Sequence, residues 1–223
     1  MNTQIIFDFY SELSMNNNRD WFHAHKKQYG IVKKEIESGA AQLIKNIAVF
    51  DPPIGQLQPK DCIFRINRDV RFSNDKSPYK TNTGIFFTRG GKKSPFAGYY
   101  LHLEPGKSFI GGGVYMPLAP ALKAIRTEIL YNYPDFIKII SEPGFTRYFN
   151  DLADHGRLSR PPKDFPADFD GIEILKNKHF VVGHSLSDKN IVDGNVLTYS
   201  TDVFRSMKDF NHFLNEALQD VPA

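Results

Sequence analysis

The sequence predicts an α+β fold: an antiparallel β-meander with helices packed mainly on one face, in a single domain spanning residues 1–223. Three observations predict it. Apolar residues recur at helical spacing at both ends of the chain, and between Cys62 and Met116 the period changes to strand-like alternation. No low-complexity linker or internal repeat divides the 223 residues, a length at which one core buries most of its apolar surface.

Ile5, Ile6, Phe9, Tyr10 and Leu13 set a first helix over Thr3 to Leu13, with Thr3 as its cap. The run Asn16-Asn17-Asn18 breaks it, and Asn18 is placed to cap a second helix. Asp20 falls in the first turn of that helix, where the dipole favours a negative charge. Trp21, Phe22, Tyr29, Val32, Ile36, Leu43, Ile44 and Ile47 carry its apolar side. Gly30 and Gly39 predict a bend or break within it. The loop Asp51-Pro52-Pro53-Ile54-Gly55 follows and ends near Pro59.

From Cys62 the chain alternates: Cys62, Phe64 and Ile66 one way, Ile63, Arg65 and Asn67 the other. Further strands are expected over Gly84–Thr88, Gly98–Glu104 and Ser108–Met116, with turns at Gly90-Gly91 and Pro105-Gly106. Their mixed face would gather Arg65, Asn67, Tyr100, His102, Phe109, Gly111 and Gly113. Helices are expected at Pro117–Tyr131, Pro134–Ile140 and Phe145–Leu152. An irregular Pro-rich stretch then covers Gly156–Phe169, followed by a helical turn at Gly171–Lys176, a strand at Phe180–Gly183 and one closing helix over Asp202–Leu218.

Charge concentrates in Phe64 to Thr81. Arg65, Arg68, Arg71, Lys76 and Lys80 stand there against Asp69 and Asp75, a local excess equal to the whole chain's +3. Guanidinium forks match paired oxygens, Lys adds a point charge, and Ser73 and Thr81 add hydroxyl donors. These residues point to a pocket for a phosphate- or carboxylate-bearing small molecule, and to an enzyme if that ligand is turned over. Asp69, Tyr79 and His102 are the candidates for proton transfer. Arg19, in the first turn of the second helix, is a further candidate for the pocket wall. Two other readings stand beside this one. One is a nucleic-acid binder using the basic loop and nearby rings. The other is a protein-interaction module in which the charges form a structural ion-pair network.

Other classes are disfavoured. No apolar run approaches the roughly 18 residues that span a bilayer, and the N-terminal residues have no positive leader region, so no membrane association is expected. One cysteine, Cys62, excludes an internal disulfide and suits a reducing cytoplasm; it is expected to be buried and inert. The seven histidines show no zinc pattern, and no phosphate-cradling glycine loop follows a strand, so neither metal nor cofactor is expected. Oligomeric state is not legible.

Two segments carry a resemblance. Asn17-Asn18-Arg19-Asp20-Trp21-Phe22, with Lys26 and Tyr29, is similar to the N-N-x-x-W-F signature of the domain-of-unknown-function 2461 family. Arg65-x-x-Arg68-Asp69-x-Arg71-Phe72-Ser73-x-Asp75-Lys76-x-Pro78-Tyr79-Lys80-Thr81 closely resembles its central motif. Tyr99-Tyr100, Gly112-Gly113, Arg160-Pro161-Pro162-Lys163 and His184-Ser185-Leu186 also fit, so the likeness runs over nearly the whole chain. Asn16, a third asparagine in the first signature, is the one departure. The resemblance implies a single-domain, bacterial-type α+β protein and no particular activity.

Overall fold

The computed structural model describes residues 1–153, 156–192 and 195–221. Its element order is α1 (Thr3–Met15), α2 (Arg19–Ala24), α3 (Lys26–Ala48), a 3-10 turn at Pro52–Gln56, α4 (Pro59–Cys62), β1 (Thr83–Phe87), β2 (Gly98–Leu103) and β3 (Phe109–Val114). Then come α5 (Ala119–Tyr131), α6 (Tyr133–Ser141), α7 (Pro143–Thr146), α8 (Ile172–Leu175), β4 (Phe180–Ser185), α9 (Asp188–Val192), α10 (Val196–Ser206) and α11 (Lys208–Leu218).

The strands form the expected meander in the order β1-β2-β3-β4, every pair antiparallel. Alternation explains its two faces. Ile85, Phe87, Tyr99, Leu101, Leu103, Ile110, Val114, Phe180 and Val182 are all buried on the first. They join one continuous cluster with α1, α3, α5, α6, α10 and α11, including the fully buried Phe9, Phe136, Phe204 and Phe210. The second face carries Phe86, Tyr100, His102 and Phe109, all half-buried, and the exposed Gly183 and Ser185. Among the described residues no helix is long and apolar enough to cross a membrane, and no group of His, Cys, Asp and Glu side chains could hold a metal ion.

Several local expectations are corrected. Asn2, not Thr3, caps α1: its side chain accepts from the Ile5 N–H, while Thr3 Oγ1 donates to the Ile191 carbonyl at 3.0 Å. Asn18 does cap α2, accepting from Trp21 N–H at 2.9 Å. The second helical stretch breaks at His25 rather than at its glycines, and α3 runs unbroken through Gly30 and Gly39. Packing there outweighs the roughly 1 kcal/mol glycine penalty. Cys62 ends a helical turn instead of starting a strand; it is buried, and burial first and Asp61 second push its thiol up to about 12. The closing helix is two, α10 and α11, meeting at Met207.

Candidate functional site

The 64–81 stretch is a narrow ribbon leaving the edge of β1. Ile63 bridges Ile85, and Phe64 N–H donates to Gly84 O at 3.0 Å, so the chain first extends the sheet edge. It then folds back on itself. Asn67 bridges Tyr79, flanked by Arg68 N–H to Pro78 O at 3.0 Å and Lys80 N–H to Ile66 O at 2.8 Å. In this antiparallel pattern the flanking bonds leave the Tyr79 backbone groups pointing away from Asn67. The Asn17 side chain supplies their partners. Its Oδ1 accepts from Tyr79 N–H at 3.1 Å, and its Nδ2 donates to Tyr79 O at 2.9 Å. The Phe22 ring stacks on Tyr79 with centroids 4.0 Å apart. Asn17 therefore acts as a one-residue strand, fastening the ribbon to the α1–α2 corner.

The cations of the ribbon divide into two groups. Three are engaged within the loop. Arg71 forks onto Asp69, with Nε–Oδ1 at 2.9 Å and Nη2–Oδ2 at 2.7 Å. Arg68 donates to Asp75, to Ser77 O at 3.2 Å and to Ser73 Oγ at 3.4 Å. Lys76 Nζ donates to Val70 O at 3.0 Å. The other two, Arg65 and Lys80, have no ion pair among the described residues. Burial depresses the Lys80 ammonium, and the nearby Arg65 charge depresses it further. The Lys80 ammonium sits 5.6 Å from the centroid of the Phe64 ring.

Asp75 is held at about 2, first by the Ser77 hydroxyl and amide and then by Arg68. Its contribution to loop order is thus fully present above its ordinary value near 3.8 and is lost as pH falls through about 2. Between pH 4 and pH 2, amide exchange at Ser77 is expected to accelerate before the sheet amides respond. Simultaneous acceleration of both would refute a loop-local effect.

The second face of the sheet adds a polar chain. Tyr100 Oη lies 3.0 Å from His102 Nδ1, and His102 Nε2 lies 3.0 Å from Glu104 Oε2. A carboxylate only accepts, so Nε2 carries the hydrogen, and in the neutral ring Nδ1 accepts the phenol hydrogen. Phe64 meets the Tyr100 ring edge-on at 6.5 Å, so one aromatic side chain touches both Lys80 and Tyr100.

The family model described as conserved hypothetical protein (DUF2461) matches residues 5–213. The chain belongs to that family. No curated protein and no solved structure matches it. The matched span of DUF2461 contains both signatures, and the Asn17–Tyr79 clamp joins one to the other.

The remaining candidates take distinct positions. Asp69 is occupied by Arg71 through both carboxylate oxygens. Tyr79 is buried against Phe22. Ser73 accepts from Arg68. Thr81 lines a cavity of about 220 Å³ with Ser11, Ser14 and Glu104. Arg19 is exposed on α2, and no hydrogen bond or ion pair joins it to the ribbon among the described residues. His102 stands in the expected phase with Tyr100 and Phe109. Arg65 does not share that phase: Phe64 is the ribbon side chain that reaches Tyr100. Tyr100 was expected on that face, but its contact with His102 was not read from the sequence, although the pattern Tyr100-x-His102-x-Glu104 at strand period carried the signal.

Proposed function

We propose that this protein binds a phosphate- or carboxylate-bearing small molecule at Arg65 and Lys80, where the Phe64 ring joins Lys80 to the second face of the sheet, as an enzyme acting on that molecule. The observation that carries this reading is the pairing of two mutually repelling cations with no carboxylate bound to either among the described residues. Arg68, Arg71 and Lys76 serve in this reading as the frame that shapes the ribbon. A bound anion relieves the repulsion and adds charge-assisted hydrogen bonds.

Thermal unfolding with added inorganic phosphate tests this. At a hundred times its dissociation constant, phosphate should stabilise the fold by about 2.7 kcal/mol, or about 5–10 °C in a chain of this size. Lys80→Ala and Arg65→Ala are expected to abolish the shift with little change in unliganded Tm. Arg68→Ala is expected to lower that Tm and keep a shift. Loss of the shift in Arg68→Ala alone would assign the anion to the loop instead.

One observation favours nucleic acid as a second reading. Phe72 is 96% exposed at the tip of the basic loop, with the Arg71 guanidinium 5.8 Å from its ring centroid. A base stacked on Phe72 would give binding to a single-stranded oligonucleotide that falls steeply with salt and is lost in Phe72→Ala. Phosphate binding at Lys80 would be indifferent to that change.

A further inference from the structure

Tyr100, His102 and Glu104 are more than neighbours on a strand. The side chains of His102 and Glu104 are 14% and 20% exposed, so the chain they form is shielded but within reach of solvent at the Glu104 end. Phe109, on the adjacent strand, stacks on the His102 ring at 4.8 Å and 19°, which fixes the imidazole plane. Space for the phenol is made by Gly84, the partner of His102 across β1–β2. A Cβ there would lie 2.4 Å from Tyr100 Oη. Any side chain at position 84 would push the hydroxyl off His102. The other charge at the relay is Lys107, 4.0 Å from Glu104 Oε1; β1 and β3 present only Gly84 and Phe109 to His102.

We infer that Tyr100 is the general acid of this site, positioned by His102 and Glu104, and that its substrate is a phosphate monoester. The inference rests on the anion reading above and names its reaction. A phosphate monoester is the anion that suits two uncompensated cations, because it carries close to two negative charges near neutral pH. Burial and the Glu104 charge push the Tyr100 phenol up to about 12, so it holds its proton at neutral pH, as a proton donor must.

The step balances within the site and one water. Tyr100 swings its hydrogen from His102 Nδ1 to the bridging oxygen of the ester, while Glu104 and Phe109 keep the imidazole in place. As that P–O bond breaks, the phenol proton passes to the departing oxygen. Water forms the new P–O bond and returns one proton to Tyr100 Oη. The products are an alcohol and inorganic phosphate, and the relay is restored.

Hydrolysis of phenyl phosphate and p-nitrophenyl phosphate is compared in wild type, Tyr100→Phe and His102→Gln, with phosphate affinity measured on each by calorimetry. General acid catalysis contributes about 10²–10⁴-fold, and only where the leaving group needs a proton. Tyr100→Phe and His102→Gln are therefore expected to lose at least about 100-fold on phenyl phosphate, several-fold at most on p-nitrophenyl phosphate, and no phosphate affinity. Should Tyr100→Phe fail to fold, His102→Gln carries the same comparison. Equal losses on both esters, or none, would remove Tyr100 as the acid. Wild type that binds phosphate yet hydrolyses neither ester overturns this inference and leaves the anion reading standing. Wild type that does neither overturns both.

Discussion

Gly113→Ala is expected to cost about 3–5 kcal/mol of stability. Two effects combine. Gly113 has φ of +103°, a backbone region in which an L side chain is strained by about 1–3 kcal/mol. The added Cβ would also lie 2.1 Å from the carbonyl oxygen of Phe180. That obstacle is backbone, so no rotamer change relieves it. β3 and β4 must separate locally, at about 1 kcal/mol for each ladder hydrogen bond lost. Gly113 lies between Gly98 on β2 and Val181 on β4, so the damage reaches both pairings of the central strand. Gly183→Ala is the control. Gly183 lies on the same second face and is exposed, and a methyl group added to it would meet nothing within 4 Å. Urea unfolding should show it within about 0.5 kcal/mol of wild type. A loss below about 1 kcal/mol for Gly113→Ala would show that β3 and β4 yield more easily than their close approach implies.

The two positions also show what a sequence discloses. A run of three glycines in a strand signals close approach, but not what approaches. Here the neighbour of Gly113 is another strand, while Gly84, unremarked in its own sequence context, clears the Tyr100 hydroxyl. The meander was legible because its faces alternate and Pro105-Gly106 marks its central turn. The ribbon was not, because Phe64 and Ile66 alternate like a strand while the chain bends and pairs with Tyr79 and Lys80 instead. Helix ends at His25 and Met207 carry no glycine or proline. They are set by packing, which a local pattern does not encode. The charges of the candidate site were equally visible, but not how they divide. Arg68 meets Asp75 seven residues away only because the loop closes. That closure separates framing cations from free ones.

The second large effect is expected at Asn17, which bears no charge and belongs to the other signature. Its amide satisfies both backbone groups of Tyr79, a partly buried pair separated from it by 62 residues. Asn17→Ala leaves one N–H and one C=O without a partner, at about 1–3 kcal/mol each when water cannot reach them. Allowing for partial exposure, the expected loss is about 2–3 kcal/mol, or about 5–10 °C in Tm. Asn17→Asp is expected to fare no better. A carboxylate still accepts from Tyr79 N–H but sets an acceptor against Tyr79 O, where the amide had a donor. The loss should also be non-additive with Phe22→Leu, since both residues hold Tyr79 and the second change has less left to break. The consequence for function follows from position. Lys80 is next in the chain, so releasing Tyr79 frees the ammonium from its place against Phe64. Phosphate affinity should therefore fall in Asn17→Ala although no charge has been removed, and exchange of the Lys80 amide should rise with it. Weakened stability with unchanged affinity would mean that Lys80 is held by its bond to Ile66 alone, and that the two signatures are joined for folding rather than for binding.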